Sequence, residues 1–329
     1  MRPDYLLPMP PAVPIPLIVR LRNWVGDVTL SLPLLQRLAH EGHELTLLGK
    51  GWARELLAGQ GWPVHVLPKT IAQRLQLLRE LRTQALRRDA GFDRRINALC
   101  LPDSFSSALE FRLAGLRALG HAWEGRSLLL GRAVARERGV HELKVYWALG
   151  EQLLGRPAPL PERISLQPTA TQRAQAQALR AAHGIEAGCI VICPFAGGSW
   201  NQQEKTWPAF ADFVTRVLPT LGRTVVVCPG PGDEERVARE HFASARLLSG
   251  VDLGVLAALL QDAAVMVSND TGPGHIAAAV GTPLVSVMGP SNPALWHPWG
   301  RHVEVLGGNG SWPQTSAVLQ ATQRALGRG

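Results

Sequence analysis

Strand-length apolar runs alternate with helix-length amphipathic segments along most of the chain, and no other feature narrows the fold so far. "PLIVRL" (16–21) is followed by "DVTLSLPLLQRLAHEG" (27–42) and then by "HELTLLG" (43–49). In the middle segment Val28, Leu34, Leu35 and Leu38 fall near one helical face, and Gly42 supplies a stop. Pro33 lies inside this segment and is expected to bend the helix or shift its start. "GWPVHVLP" then reads as a strand, "IAQRLQLLRELRTQALRRD" as a long amphipathic helix and "RINALCLP" as another strand. A second series repeats the style. "CIVICPF" (189–195) precedes a polar loop and the helix "WPAFADFVTRVLPTLG", and "TVVVCPG" (224–230) precedes "DEERVAREHFA". "LGVLAALLQDA" then precedes "AVMVSND", and "HIAAAVG" precedes "PLVSVMG". Strands separated by helices pair in parallel, and parallel sheets are covered on both faces.

The proline-rich stretch "RPAPLPERISLQP" (156–168) joins the two series. The expected architecture is therefore α/β, with two Rossmann-like domains over residues 1–160 and 161–329 and a cleft between the carboxyl ends of their strands. A length of 329 residues, with 46% hydrophobic and 18% charged content, is enough for two cores. No tandem repeat of solenoid period is visible.

The formal net charge of +8 is unevenly spread. Residues 1–166 hold 23 Lys and Arg against 15 Asp and Glu, whereas residues 167–329 hold 11 of each. The first half thus has the character of a surface that meets an anionic partner, or of a solvated arginine-rich face. Cys100, Cys189, Cys193 and Cys228 show neither a CxxC pair nor a metal-ligand spacing, and they read as buried strand residues of a protein in a reducing compartment. The opening "MRPDYLLPMPPAVPIPLIVRLR" imitates a signal peptide, but its prolines break the apolar region and no cleavage site follows. A cytoplasmic protein, peripheral to a membrane at most, is expected.

Four strand–loop–helix junctions carry the chemistry. In "VSNDTGPGHIAAAVGTPLVSVMGP" (267–290), Pro273 suits the first helical position, and Gly272 and Gly274 allow close approach of a ligand to the backbone. Such a helix N-terminus can hold a phosphate or diphosphate; alternatively, Asp270 and Thr271 are ordinary caps. In "LIVRLRNWVGDVTLSLPLL", Gly26 reads as a turn and Asp27 as a helix N-cap, at a place where a general base would also face the cleft. In "CPFAGGSWNQQEKTWPAF", Lys205 stands just before a helix start, where its charge opposes the dipole unless an anionic ligand shares the site. In "CPGPGDEERVARE", Asp233, Glu234 and Glu235 occupy a first turn, where acids are expected in any case.

Taken together, these junctions resemble glycosyltransferase family 9, the ADP-heptose:lipopolysaccharide heptosyltransferases. "RNWVGDVTLSLPLLQRL", "KTWP" (205–208) and "NDTGPGHIAAAVGTPLVSVMGPSNPALWHPWG" match its elements in order, and "NWVGD" is closer to the second-heptose branch. The resemblance implies a GT-B fold and an inverting transfer of heptose from ADP-heptose. It implies Asp27 as the base, Lys205 as the group that neutralises the leaving diphosphate, and Thr271 and Gly272 as its N–H donors. Asp270 and His275 would lie close to the donor, and Glu234, with Glu235 next in line, would contact the ribose. It also implies an anionic lipopolysaccharide inner-core acceptor received by the basic first half, with Arg87, Arg88, Arg94, Arg95 and Arg112 as candidates and Arg117 and Arg126 beside them. Contact with the cytoplasmic face of the inner membrane would follow. No tightly bound cofactor and no protein-held metal are expected, since no metal-ligand cluster is visible.

The loop 195–204 is a few residues longer than the family spacing and carries Trp200, which puts the donor sugar in question. His297, Trp299, Trp24, Trp52 and Trp62 are candidates for stacking on sugar or adenine, or for packing. A nucleotide-sugar epimerase of the same fold and a catalytically silent sugar-nucleotide or lipid-binding protein remain as alternatives. No GxGxxG follows the first strand, which argues against a dehydrogenase, and no motif supports nucleic-acid binding.

Overall fold

Two six-stranded parallel sheets with the same strand order organise the chain. The structure, a computed structural model, describes residues 14–197, 199–200 and 202–327. The first series consists of β1 (Ile15–Arg20), α1 (Val25–His40), β2 (His43–Gly49), α2 (Trp52–Leu56), β3 (Val64–Val66) and α3 (Ile71–Arg88). It continues with β4 (Ala98–Cys100), α4 (Phe105–Leu113), β5 (Ala118–Ala122), β6 (Arg132–Ala135) and α5 (Glu142–Leu154). The second consists of α6 (Ala170–Ala182), β7 (Ile190–Cys193), the two-residue strands β8 (Ser199–Trp200) and β9 (Gln203–Glu204), α7 (Phe210–Asp212), β10 (Val225–Val227) and α8 (Asp233–His241). It ends with β11 (Arg246–Leu247), α9 (Leu253–Gln261), β12 (Val265–Asn269), α10 (Gly272–Val280), β13 (Leu284–Met288), α11 (Pro293–Trp296), β14 (Val303–Gly307) and α12 (Thr315–Leu326). The sheets run β3-β2-β1-β4-β5-β6 and β11-β10-β7-β12-β13-β14. Each is the doubly wound order, with its reversal between β1 and β4 or between β7 and β12, the place where such folds bind ligands.

Both faces of these strands are buried, which explains their continuous rather than alternating apolar pattern. One buried cluster runs from Val19 and Leu47 through Leu35 of α1 and Ile276 of α10 to Val265 and Val285, so the two halves share an apolar seam. A second cluster, with Ile18, Leu78, Phe92 and Phe111, fills the outer face of the first sheet. Polar ties cross the seam: Gln36 Nε2 donates to the Ser165 carbonyl at 2.6 Å, and Gln172 Nε2 to the Glu55 carbonyl at 2.7 Å.

Two helices differ in extent from the expected ones. α1 begins at Val25 and passes through Pro33 without ending. Thr29 and Ser31, on the turn before it, bond their hydroxyls to the carbonyls of Val25 and Val28 at 2.9 and 2.8 Å. The helix expected over 207–222 breaks into α7, a π turn (Phe213–Val217) and a 3-10 turn (Leu218–Leu221). Pro219 lacks the N–H that would bond the Thr215 carbonyl, so regular α geometry cannot run through it. Cys100 and Cys193 are buried strand residues as expected, whereas Cys189 is buried just before β7 and Cys228 is half-buried just after β10. Most of "MRPDYLLPMPPAVPIPLIVRLR" precedes residue 14 and lies outside the described residues. No helix among the described residues is long and apolar enough to cross a membrane.

Candidate active site

The N-termini of α1 and α10 meet across the seam, and a pocket of ≈ 400 Å³ opens between them. It is lined by Trp24 and Asp27 from the first half and by Lys205, Glu234, Asp270 and His275 from the second. Neither helix receives a side-chain cap, from Trp24 or from Thr271, so both keep unclaimed N–H donors and the positive end of their dipoles at the pocket. Two glycines make the approach possible. A Cβ on Gly272 would stand 2.6 Å from Cβ of Val25, and one on Gly26 would stand 2.9 Å from Cδ2 of His275. Gly26 is therefore a helical residue required by contact, not the turn expected of it.

Asp27 is a residue of the first helical turn and not the N-cap that its place before the helix had implied. Its Oδ1 accepts a hydrogen bond from the Tyr146 hydroxyl at 2.7 Å and lies 3.5 Å from Arg22 Nε. Burial pushes its pKa above the usual carboxylate value, and Arg22 and Tyr146 oppose that rise. Arg22 also binds Asp103 at 3.0 Å and Glu142 at 3.2 Å, while Arg136 binds the same two acids at 3.4 and 2.6 Å. Burial works against the Arg22 charge, but Tyr146, Asp27 and Asp103 outweigh it, so the guanidinium stays protonated. Burial likewise opposes ionisation of Asp103, yet His121 and the two arginines bring its pKa down to about 2.

On the facing side, the "KTWP" element is locked by Asn269, the last residue of β12. Its Oδ1 accepts from the Trp207 backbone N–H at 3.1 Å, and its Nδ2 donates to the Pro194 carbonyl at 2.6 Å. Trp207 packs among Phe210 and Phe213, which leaves Lys205 two residues earlier to reach into the pocket. Lys205 Nζ lies 2.7 Å from Asp270 Oδ2, which also accepts from Ser291 Oγ at 2.5 Å. His275 is buried, its pKa is held down to about 4 chiefly by burial, and its Nδ1 has no hydrogen-bond partner among the described residues. Glu234 lines the pocket and accepts the Gly230 N–H at 2.7 Å. Glu235 instead bonds Arg239 and Ser249 on the outside of α8.

The pocket therefore gathers Asp27, Lys205, Glu234, Asp270, Thr271, Gly272 and His275. Pro273 takes part as well, at the second helical position rather than the first. The arginines expected to face an acceptor do not join it. Arg87 and Arg88 end α3, Arg112 lies in the last turn of α4, and Arg94, Arg95 and Arg117 precede β4 and β5. In a parallel sheet those positions fall at the amino edge of the strands, about a strand length of ~20 Å from the carboxyl edge that bears Asp27. Arg88 is paired with Glu44 and Arg95 with Asp89. Arg126 is fully buried and donates to the carbonyls of Cys100, Pro102, Ser104 and His121, so it serves no surface.

Trp24 is 63% exposed and lines the pocket, whereas Trp52 and Trp62 are half-buried against the core. His297 stacks on Trp299, and His141 Nε2 meets the His297 carbonyl at 2.8 Å, joining the two halves. In the longer loop, Gly198 and Asn201 lie outside the described residues, β8 pairs with β9, and Gly197 reaches the pocket beside Trp24. Sequence reasoning missed Tyr146, Arg22, Glu142 and Ser291. Tyr146 and Asp27 are separated by 119 positions, Arg22 and Glu142 by 120, and Ser291 reaches Asp270 across 21, and no local pattern marks such pairs.

The description "Glycosyltransferase family 9 (heptosyltransferase)" matches residues 74–324. Lys205, Glu234 and Asp270 to His275 fall inside that match, and Asp27 outside it. Lipooligosaccharide heptosyltransferase 2 of Haemophilus ducreyi is 25% identical over 311 residues, which cover 86% of each chain. Among solved structures, E. coli ADP-heptose lps heptosyltransferase II superposes with a TM-score of 0.75 at 25% identity, over 95% of this chain and 98% of that one. E. coli heptosyltransferase WaaC with ADP shares the fold, with a TM-score of 0.69 at 22% identity over 94% and 99%.

Proposed function

Because this chain belongs to glycosyltransferase family 9, the heptosyltransferases, we propose that it moves a heptose, with inversion, from ADP-heptose to the anionic inner core of a lipopolysaccharide. The observation that carries this reading is the pairing across one pocket. A desolvated carboxylate, Asp27, stands on one wall, and a lysine and an uncapped helix N-terminus stand on the other. Asp27 takes the proton of the acceptor hydroxyl. The oxygen attacks the anomeric carbon from the face opposite the diphosphate, the bond from that carbon to the diphosphate oxygen breaks, and ADP leaves. Lys205, which keeps protons to offer beyond its contact with Asp270, and the N–H groups of Thr271 and Gly272 meet the charge that develops on the diphosphate. Asp270, held by Ser291, aims Lys205, and Glu234 is placed to meet the ribose. These groups supply the positive potential themselves, so no tightly bound cofactor and no protein-held metal are part of the reading.

We assign the donor to the half built on the second sheet and the acceptor to the half built on the first. Trp24, Ile71, Phe105 and Leu128 are exposed apolar side chains on loops and helix starts that follow β1, β3, β4 and β5, the edge that also bears Asp27. Exposed Lys50, Lys69 and Arg138 occupy the same edge. That combination supports a peripheral contact with the cytoplasmic face of the inner membrane, beside the acceptor's lipid. The direct test is release of ADP from ADP-heptose, dependent on a deacylated inner-core acceptor, by the wild type and by Asp27→Asn. The reading requires acceptor-dependent turnover and its loss, by a factor of at least about 10², in the variant. ADP release without an acceptor would point to hydrolysis instead, and conversion of the donor sugar without net ADP release to epimerisation.

A further inference from the structure

Among the described residues, Asp27 is gripped by one oxygen only. Tyr146 donates its phenolic proton to Oδ1 at 2.7 Å, and Arg22 Nε donates to the phenolic oxygen at 3.0 Å while standing 3.5 Å from the same Oδ1. Tyr146 is completely buried in the middle of α5. Burial and the neighbouring carboxylate keep its hydroxyl protonated far beyond neutral pH, so it acts as the donor. Behind it, Asp103 and Glu142 fix the Arg22 guanidinium, and Arg136 fixes Glu142. A tyrosine wanted only for packing could send its hydroxyl to any nearby carbonyl. This one meets Asp27, the single carboxylate among the described residues of the first half that lines the pocket.

We propose that Tyr146 is a positioning residue for the transfer: its phenol fixes Asp27 Oδ1, so that Oδ2 is the oxygen turned to the acceptor hydroxyl. The proposal rests on the reading of Asp27 as the base. Its consequence is also electrostatic. A proton donated to a carboxylate stabilises the anion, which offsets the burial that favours the neutral acid. The other groups around Asp27 are Arg22 from the β1–α1 junction, Glu142 from α5, Arg136 from the β6–α5 junction and Asp103 from the β4–α4 junction. Across the seam stand His275, Lys205 and Asp270. Removing the phenolic O–H directly alters one of these, Arg22, whose Nε loses its acceptor at 3.0 Å and keeps Asp27 Oδ1 at 3.5 Å.

The test is Tyr146→Phe, assayed with ADP-heptose and a deacylated inner-core acceptor across pH. At neutral pH kcat is expected to fall about ten- to a hundredfold with the donor KM nearly unchanged. The acid limb of kcat should move to higher pH, because the base has lost a donor. A structural tyrosine would lower Tm and leave that limb in place. With only two tyrosines in the chain, Tyr146 can also be probed without deletion. In a Tyr5→Phe background, 3-fluorotyrosine supplies a more acidic phenol, and the limb should move to lower pH. An unmoved limb in both proteins, with kcat intact, overturns the proposal. Asp27→Asn separates the two failures. If it stays active, the base assignment falls and this inference with it; if it is dead while Tyr146→Phe behaves as wild type, only the role of Tyr146 falls.

Discussion

Lys205 shows how a single charge comes to be held where local electrostatics disfavour it. An isolated lysine beside a helix N-terminus is repelled by the dipole, but Asp270 at 2.7 Å holds it there. Lys205→Ala should lower kcat by about 10²–10³-fold, the usual effect of removing one preorganised group that stabilises developing charge, with little change in Tm. Steady-state kinetics with donor and acceptor varied separately would check it. Arg126 gives the opposite case: its loss leaves four carbonyls without their buried donor. Arg126→Met should cost about 2–4 kcal/mol of stability in urea unfolding while sparing the pocket. Histidines set the pH response. His141 and His275 have pKa values held down to about 4, mainly by burial, against an ordinary 6.5. The unfolded chain binds their protons first, so the stability gained from keeping them neutral is complete above pH 6.5 and is lost as pH falls towards 4. Each contributes at most roughly 3 kcal/mol to that loss. The contribution of Asp103, whose pKa is about 2, disappears only below about pH 4. Unfolding free energies measured at pH 4.5 and 7.5 should differ in this direction; equal values would refute the assignment of buried neutral histidines.

At the level of elements, α1 and α10 form the decisive contact, and Gly272 sets how closely they approach. Gly272→Ala improves helix propensity by up to about 1 kcal/mol. It also places a methyl 2.6 Å from Val25 Cβ, an atom tied to the backbone, so the halves must separate. The clash, about 1–3 kcal/mol, is the larger effect. The variant should lose Tm and donor affinity together, measurable by thermal melting and ADP titration. Elements of this kind are legible in the sequence, because buried parallel strands appear as unbroken apolar runs and helices as amphipathic periods. The pattern delimits β2 to the residue, and both halves of the pocket follow from strand–loop–helix junctions. What stays hidden has physical causes. The arginines expected at the acceptor are neighbours in sequence, but the direction of their strands puts them at the far edge. Asp27 resembles a cap in the sequence because its partner, Tyr146, belongs to a helix folded back from the other end of the sheet.

For the molecule as a whole, two sheets of identical order bring their points of reversal together. The residues after β1 and β4 and those after β7 and β12 all converge on the pocket and the charge network behind it. Family membership and fold agree with this convergence, and in the proposed function the pocket holds an ADP-activated sugar. Calorimetric titration of the purified protein with ADP-heptose, ADP and UDP-sugars, repeated on Asp270→Ala, tests it most directly. Binding of the two ADP compounds, weak or no binding of UDP-sugars, and loss of affinity by about tenfold or more when the anchor of Lys205 is removed are expected. Preference for UDP-sugars, or ADP binding unaffected by Asp270→Ala, would contradict it.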